Sequence, residues 1–432
     1  MTRTADVIVI GAGVIGAATA FELAKEGRRV IVADRLTQAG HGSTAGSCAI
    51  IRMHYSTFDG TAFAWEGYHY WRDWADYLEA RDEPLAQFKE VGCLVMKTAM
   101  NEGLVKHMEN SAKLSCPFEE WDPARICEAL PIYNLDRFAP AKRLDDPSFG
   151  EPTGGALEGA VLWPNAGYVT DPALSAQNLL EAAKRWGAEA VLGHEVTGVL
   201  QNAGRVTGVS LSDGSELHAP VVINVAGPAS AKINAMAGVL DDMTIETKPL
   251  RQEVVHVPSP AGFDFEANGM IVSDSDISLY CRPEHGNNIL VGSEDPECDT
   301  HQWVNDAAYD ENFTDQWTTQ AQRYAQRVPS LGIPSRMKGV VDLYDASTDW
   351  IPIYDKSSLG GFFMACGTSG NQYKNAPIAG KLMAALVAHE ESADHDTDPL
   401  VFDLPYIGEK VNAGFYSRKR PINEESSFSV LG

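Results

Sequence analysis

The stretch that organises the rest of the chain reads ADVIVIGAGVIGAATAFELAKEGRRVIVADR and spans residues 5–35. Its first run, residues 6–10, is mostly β-branched, which is typical of a buried parallel strand. Apolar residues then recur at helical spacing over residues 17–25, and a second β-branched run covers residues 29–33. This order predicts a strand, a helix and a second strand, the unit from which doubly wound parallel sheets are built.

Three glycines join the first strand to the helix with the spacing G-x-G-x-x-G. Gly11 permits the tight turn, Gly13 lets the backbone approach a pyrophosphate, and Gly16 lets helix and strand pack closely. The helix N-terminus offers N–H groups and a positive dipole end to phosphates, and Asp34 is placed to accept hydrogen bonds from ribose hydroxyls. The unit therefore predicts an adenine dinucleotide site, whose expected contacts are Gly11, Gly13, Val14, Ile15, Gly16, Asp34 and Arg35.

Length and composition describe a folded chain with a strong negative charge. The 432 residues are 44% hydrophobic and 22% charged, so the chain can bury a core and is long enough for two domains or more. The formal net charge of −25 argues against nucleic acid or an anionic membrane surface as partner. No apolar run reaches transmembrane length, and no small-residue cleavage site follows the apolar N-terminal stretch.

The seven cysteines are odd in number and scattered, and no C-x-x-C pair occurs. This pattern favours reduced thiols over a disulfide framework or a zinc site, and it predicts a cytoplasmic protein. His389 precedes Asp394, His395 and Asp396, which could suggest a metal site, but a solvated acidic segment is the favoured interpretation. We therefore expect no metal, and a polar tail without clear periodicity after residue 390.

Two further small-residue segments stand near basic side chains. Residues 39–49 precede Arg52, His54 and Tyr55, and the residue types leave open a plain surface loop or a loop whose backbone approaches a cofactor. In the second segment a strand enters Gly367-Thr368-Ser369-Gly370, Lys374 follows, and a helix begins near Ala376-Pro377. A helix N-terminus aimed at such a cluster favours a ligand site over an ordinary strand–helix connection.

These stretches together resemble the D-amino-acid oxidase superfamily of FAD-dependent amine oxidoreductases, above all its sarcosine oxidase and dimethylglycine dehydrogenase branch. The similarity runs from Ala5 to about Ala388 and rests on separate motifs in the family's order. Besides the dinucleotide unit, these motifs are GSTAGSCAIIR at residues 42–52, GYVTDP at 167–172, NVAGP at 224–228 and GTSGNQYKNAP at 367–377.

The resemblance implies an α/β fold, in which a discontinuous Rossmann-like FAD-binding domain carries an inserted antiparallel β-rich substrate domain. The FAD-binding domain is expected over residues 1–90, 155–245 and 336–390, the substrate domain over residues 91–154 and 246–335, and a C-terminal tail over residues 391–432.

The resemblance also implies further contacts with FAD outside the first unit. They are Gly42, Ser43, Thr44, Ile50, Val196, Ala226, Gly227, Gly367, Thr368, Ser369, Gly370 and Lys374. Some branches tether the flavin covalently through a cysteine or a histidine, and Asp342 and Gly46 stand at those two positions. We therefore expect FAD to be held without a covalent bond.

The implied reaction is oxidation of the C–N bond of an amino acid or N-methylated amino acid, by hydride transfer to flavin N5, to give an imine that hydrolyses. Arg52 stands where the family's arginine holds the substrate carboxylate, and Lys374 where a lysine lies near carboxylate and flavin. With two pocket tyrosines, the implied catalytic residues are Arg52, Lys374, Tyr280 and Tyr344. The implied substrate contacts are Arg52, Tyr55, Tyr280, Arg282, Tyr344 and Asn371.

The electron acceptor and the assembly state stay open. The family's oxygen-activating lysine falls near Leu290 or Val291, and neither is basic, which favours a dehydrogenase that uses an electron carrier over an oxidase that uses O2. A flavin-binding subunit of a heteromeric amine dehydrogenase complex is a second alternative, although it would not need Arg52 and Lys374. An NAD-dependent dehydrogenase fits only the N-terminal unit. The expected partners are a small amine or amino acid and either O2 or a carrier, and oligomerisation is undecided.

Overall fold

A computed structural model of the protein describes residues 3–80, 83–101, 103–305, 308–392 and 399–431. The first predicted strand, Val7–Ile10, is completely buried inside a six-stranded sheet, as the β-branched run predicts. The first five strands of this sheet are parallel and the sixth is antiparallel. Their order is Glu189–Leu192, Val30–Asp34, Val7–Ile10, Val221–Asn224, Phe362–Cys366 and Ile353–Lys356.

Helices cover one face of this sheet. The predicted dinucleotide helix, Val14–Lys25, packs between Pro172–Arg185 and Ala376–Glu391. Gly380 permits this approach, because a Cβ there would lie 2.7 Å from the backbone of Ala18. The aromatic-rich stretch that follows the small-residue loop forms two helices, which are Phe58–Arg72 and Trp74–Leu78.

A four-stranded sheet covers the opposite face. Its order is Arg3–Thr4, Glu216–His218, Arg205–Leu211 and Val196–Asn202. Near it lie the helix Ser230–Met236 and two short 3₁₀ turns, Gly227–Ala229 and Leu240–Asp242.

The second body of the protein is a nine-stranded, largely antiparallel sheet with its own apolar core. Its strands run in the order Gln302–Trp303, Thr247–Pro258, Asn288–Ser293, Leu279–Glu284, Ile271–Asp274, Cys93–Met96, Ala160–Trp163 and Glu119–Trp121, with Gly339–Ser347 paired to Thr247–Pro258. The helices of this region are Leu104–Lys113, Pro123–Ala129, Phe265–Asn268 and Asp315–Arg327. A small sheet of Ile50–Ile51, Gly167–Val169 and Phe88–Glu90 lies beside them.

Two strands lie in a different sheet from the one that the expected domain boundaries imply. Gly339–Ser347 and Ala160–Trp163 fall in ranges assigned to the FAD-binding domain, yet both belong to the nine-stranded sheet. Gly339–Ser347 pairs with Thr247–Val255 along its whole length. No sequence motif marks the partner of either strand, and the boundaries themselves remain a prediction.

The polar tail carries regular structure within residues 399–431, which its lack of periodicity does not predict. These residues form a hairpin of Val401–Leu404 and Glu409–Asn412, followed by a 3₁₀ turn, Ala413–Tyr416. Tyr416 is buried with its ring centroid 5.2 Å from that of Phe63. The segment is anchored by a few irregularly spaced residues, which explains why it shows no period. Residues 394–396, considered above for a metal site, lie outside the described residues.

Candidate active site

A cavity of about 650 Å³ lies between the carboxyl ends of the parallel strands and the nine-stranded sheet. It extends from the glycine turn after Ile10 to Tyr344 on the strand Gly339–Ser347. Open parallel sheets bind ligands in the crevice outside the carboxyl ends of their strands, so this is the expected place for a site.

The glycine turn has the backbone geometry that its spacing predicts. Gly11 has a φ of +111°, and a Cβ there would overlap the carbonyl oxygen of Val225. A Cβ at Gly16 would overlap the carbonyl oxygen of Gly11, so this glycine is needed for close packing of helix on turn. Gly13 lines the cavity, and a Cβ there would lie 3.2 Å from Thr44 Oγ1, so its missing side chain leaves room for a ligand.

Asp34 ties the turn to the second strand. Its Oδ2 accepts a hydrogen bond from Ala12 N at 2.6 Å, and its Oδ1 accepts from Leu36 N at 2.7 Å. A carboxylate can accept about four hydrogen bonds, so two acceptor sites remain for a ligand hydroxyl. Asp34 lines the cavity. Nearby, Thr44 Oγ1 accepts from Val14 N at 3.0 Å, which brings the small-residue loop to the helix start.

Arg52 and Lys374 are both buried at the other end of the cavity. The Arg52 guanidinium lies 4.6 Å from the ring centroid of Tyr55, and Lys374 Nζ donates hydrogen bonds to Tyr55 Oη at 2.8 Å and to Asn371 O at 2.6 Å. Among the residues that the structure describes, neither cation has a carboxylate within ion-pair distance. Burial, reinforced by the charge of Arg52, holds the pKa of Lys374 well below its usual 10.5.

The Lys374 backbone is held by the aromatic helix Phe58–Arg72. Trp71 Nε1 donates a hydrogen bond to Lys374 O at 2.7 Å, and the Trp71 ring stacks on Tyr373 with centroids 5.3 Å apart. Trp71 thus packs inside the protein and also fixes the position of a cavity residue.

The Arg52 guanidinium is capped by backbone carbonyls. It donates hydrogen bonds to Val430 O at 2.9 Å, to Leu431 O and to His54 O. Val430 and Leu431 line the cavity, and nothing in their sequence pattern indicates this. The last described residues of the chain therefore form part of the site.

Two tyrosines form a third side of this end. Tyr280 Oη and Tyr344 Oη are 3.5 Å apart, and Cys48 Sγ is 3.7 Å from Tyr280 Oη. Burial raises the pKa of both tyrosines, so each keeps its hydroxyl proton. Gly370, at a φ of +69°, lies against Tyr344, since a Cβ there would lie 2.5 Å from the tyrosine ring.

The second glycine-rich segment is tied to the strand that carries Tyr344. Asp345 Oδ2 accepts from Gly367 N at 2.6 Å, and Asp345 O accepts from Ser369 N at 2.8 Å. Burial raises the pKa of Asp345 to about 7. Gly367 and Ser369 therefore hold the loop, while Thr368, Gly370 and Asn371 line the cavity.

The structure brings most of the predicted residues together. The predicted cofactor and substrate residues all line the cavity except Gly367, Ser369, Tyr55 and Arg282. Tyr55 lies directly behind the residues that line the cavity, and its hydroxyl accepts a hydrogen bond from Lys374. Arg282 lies apart, paired with Glu284 at 2.8 Å and stacked on Tyr168, so its expected substrate contact does not fit its position.

Sequence reasoning missed several lining residues. They include Cys48, Gln252, Ser273, Tyr309, Val430 and Leu431. The buried Glu294 lies behind Ser273. Glu294 Oε1 accepts a hydrogen bond from Ser273 Oγ at 2.6 Å, and Glu294 Oε2 accepts one from Ser275 Oγ at 2.9 Å. Burial raises the pKa of Glu294 to about 7, and no motif marks this carboxyl group.

The family of FAD-dependent oxidoreductases known as DAO matches residues 6–386. The chain belongs to this family. It is 24% identical over 395 residues to sarcosine oxidase subunit beta of an Arthrobacter species, covering 90% of this chain and 88% of the relative. It is 25% identical over 440 residues to hydrogen cyanide synthase subunit HcnC of Pseudomonas aeruginosa, covering 93% and 96%. The crystal structure of glycine oxidase from Geobacillus kaustophilus superposes with a TM-score of 0.74 at 22% identity, covering 98% and 100%.

These comparisons confirm the family, the fold class and FAD as the cofactor of this DAO-family oxidoreductase. The residues present fit FAD, because the glycine turn, the helix start and Asp34 supply the donors and acceptors that a dinucleotide needs. Gly46 and Asp342 stand at the two positions where other branches attach the flavin covalently, and they lie against each other. A Cβ on Gly46 would overlap Asp342 Oδ2. A larger residue at position 46 would therefore require Asp342 to move.

In the described part of this DAO-family chain, neither a candidate metal site nor a helix that could span a membrane is present. No cluster of three or more histidine, cysteine or acidic side chains there is arranged to hold a metal ion. None of its helices combines the length and apolar character that crossing a membrane requires.

Proposed function

We propose that this enzyme oxidises the C–N bond of an amino acid or N-methylated amino acid that carries a free carboxylate. The observation that supports this most is the burial of Arg52 and Lys374 together at one end of the cavity. The Arg52 guanidinium stays charged, and it has no carboxylate partner among the described residues. A buried charge without a counter-charge is costly, so an anionic ligand is the natural complement of Arg52. The relatives named sarcosine oxidase subunit beta and glycine oxidase support the same substrate class.

The proposed cofactor residues are those of the glycine turn, Asp34 and the two small-residue loops, which hold FAD without a covalent bond. When bound, FAD supplies the two-electron acceptor for the substrate C–H bond. Arg52 binds the carboxylate in bidentate geometry, which orients the substrate for reaction. The hydroxyls of Tyr280 and Tyr344 lie at the same end and supply hydrogen bonds to the bound substrate. The product is an imine, which water hydrolyses.

Lys374 is proposed to take the proton that the substrate ammonium must lose before C–N oxidation. An uncharged Lys374 amine donates its two hydrogens to Tyr55 Oη and Asn371 O, which leaves the nitrogen lone pair to accept this proton. The substrate carboxylate then lies beside a charged lysine, and this attraction favours the protonated state. Substrate binding and proton transfer to Lys374 Nζ are coupled in this scheme.

An electron carrier is proposed as the acceptor, with assembly into a heteromeric complex. Val291 is buried in the core of the nine-stranded sheet, and neither it nor Leu290 supplies a positive charge to the cavity. Two relatives bear the names of subunits, sarcosine oxidase subunit beta and hydrogen cyanide synthase subunit HcnC, which supports assembly with other chains.

Anaerobic bleaching of the flavin absorbance band tests the reaction. The purified yellow protein is mixed with glycine, sarcosine, proline and larger amino acids, each beside its amide. The acids of one group should bleach the flavin, and their amides should not, because the amides lack the charge that Arg52 binds. Air is then readmitted, and the yellow colour should return slowly. Adding a dye that accepts electrons should restore the colour fast. Bleaching by the amides as fast as by the acids contradicts the proposal.

A pair of variants separates the role of Arg52 from a general loss of buried charge. Arg52→Met should raise the substrate concentration for half-maximal bleaching by more than about tenfold, since a charge-assisted bidentate pair is lost. Arg282→Met is the matched control, because Arg282 is also a buried arginine but does not line the cavity. Equal effects in two variants that retain FAD would remove Arg52 from the substrate site.

A further inference from the structure

The segment 417–431 is tightly anchored at its start and loosely held afterwards. Arg418 pairs with Asp355 at 2.9 Å, and Arg420 forms a bidentate pair with the buried Asp349 at 2.7 and 2.9 Å. Beyond Arg420, most side chains up to residue 429 are exposed or half-buried. Their long-range contacts include the exposed ion pair Lys106–Glu425. Contacts of this kind contribute little to stability, so residues 421–429 can detach at small cost.

The end of this segment inserts into the substrate end of the cavity. The Val430 side chain packs in an apolar cluster with Leu250, Ala346 and Trp350, against which Tyr280 and Tyr344 also pack. Val430 O and Leu431 O accept hydrogen bonds from one guanidinium nitrogen of Arg52. These two oxygens thus take up donor capacity on the group that a carboxylate would otherwise bind.

We propose that residues 421–431 form a lid that competes with the substrate carboxylate for Arg52, so that substrate binding displaces Val430 and Leu431 from the cavity. This inference rests on the proposed function. A carbonyl oxygen is a neutral acceptor, whereas a carboxylate adds a full negative charge, so the substrate forms the stronger bond with the same donors. The lid thereby keeps the buried Arg52 hydrogen-bonded while the site is empty, and an anion that binds Arg52 displaces the lid.

Competition of this kind lowers the apparent affinity of the enzyme for a carboxylate, because only the molecules whose lid is open can bind it. The holoenzyme is titrated with propionate, a simple carboxylate that carries no amine, and binding is followed by the change in flavin absorbance. A variant that lacks residues 421–432 keeps the Arg418 and Arg420 anchors, and it should bind propionate with a Kd at least about fivefold lower. Propionamide, which lacks the negative charge, should bind each form more weakly than propionate does.

A point variant keeps the test valid if the shortened chain does not fold. Val430→Gly removes the apolar anchor inside the cavity and should also lower the Kd of propionate. Phe428→Ala is the matched control, because Phe428 lies on the same segment but is exposed. Limited proteolysis gives a second readout, in which propionate, but not propionamide, should speed cleavage between residues 421 and 429 of the full chain.

The outcomes separate the lid from the proposed function. If propionate binds the full chain and the shortened chain with equal Kd, or the shortened chain more weakly, residues 421–431 are a fixed wall and the lid proposal fails. If propionate binds neither form and no carboxylated amine bleaches the flavin of either, the proposed function fails and the lid fails with it. Lower Kd values in both lid variants with ligand-dependent cleavage are the expected result.

Discussion

Replacing Glu294 by glutamine tests whether a carboxyl group behind the Arg52 end of the cavity gains and loses its proton near neutral pH. Glu294 is buried, its two oxygens accept hydrogen bonds from Ser273 and Ser275, and Ser273 lines the cavity. Glutamine has the same shape, and serine hydroxyls rotate to donate or accept, so the local packing survives the change. The substitution therefore removes one ionisation and little else.

The magnitude follows from the pKa of Glu294, which burial raises from 4.5 to about 7. A group whose pKa is raised on folding contributes stability that is fully present below the unfolded pKa of 4.5 and is lost as pH rises through about 7. The difference of about 2.5 pH units corresponds to about 3 kcal/mol. Integrated over the titration, Glu294→Gln should gain about 2 kcal/mol relative to wild type between about pH 5.5 and about pH 8.

The measurement is urea unfolding of both proteins at each pH, with the FAD concentration held constant because bound ligand adds to stability. The control is Glu297→Gln, which removes an exposed carboxylate three residues away, so its difference from wild type should change much less. A gain for Glu294→Gln that stays the same at both pH values would refute the reasoning. Because ionised Glu294 would weaken anion binding at Arg52, the apparent Kd of propionate should also rise with pH in wild type more than in Glu294→Gln.

Four further substitutions test the glycine turn, the tail anchor and the proposed proton acceptor. Gly16→Ala should prevent folding of the FAD-binding region, since its Cβ overlaps a backbone carbonyl, whereas Gly13→Ala should fold but bind FAD at least about tenfold more weakly. Circular dichroism and FAD titration distinguish the two. Arg420→Met should cost about 3–5 kcal/mol, because it leaves the buried Asp349 without its cation, and a thermal melt measures the loss. Lys374→Met should slow flavin reduction at low pH more than at high pH, where the substrate amine is already deprotonated, and a pH profile of the bleaching rate measures this.

The parts of the fold that could be predicted are those that neighbouring residues determine together. The strand, turn and helix after Asp6 follow from β-branching, glycine spacing and helical periodicity within thirty residues, and the structure confirms each. The helix Pro172–Arg185 begins where Asp171 can cap it, and the Asp171 side chain accepts from Leu174 N at 2.8 Å. Strand partners were harder, because Gly339–Ser347 carries no signal that selects one sheet over the other.

In the candidate site, too, contacts between residues far apart in the chain could not be predicted from the sequence. The residue types at Arg52 and Lys374 could be predicted, but what they contact could not, because a hydrogen bond to a backbone carbonyl leaves no trace in the identity of the residue that provides it. Val430 lies 378 residues from Arg52 in the chain, and any residue there would present the same carbonyl oxygen. Burial of Glu294 is likewise a property of the assembled sheets rather than of its neighbours in sequence. The charges that we propose to govern substrate binding are therefore set by tertiary contacts, and perturbing those contacts at Glu294 and Val430 tests the proposed mechanism more directly than replacing Arg52 itself.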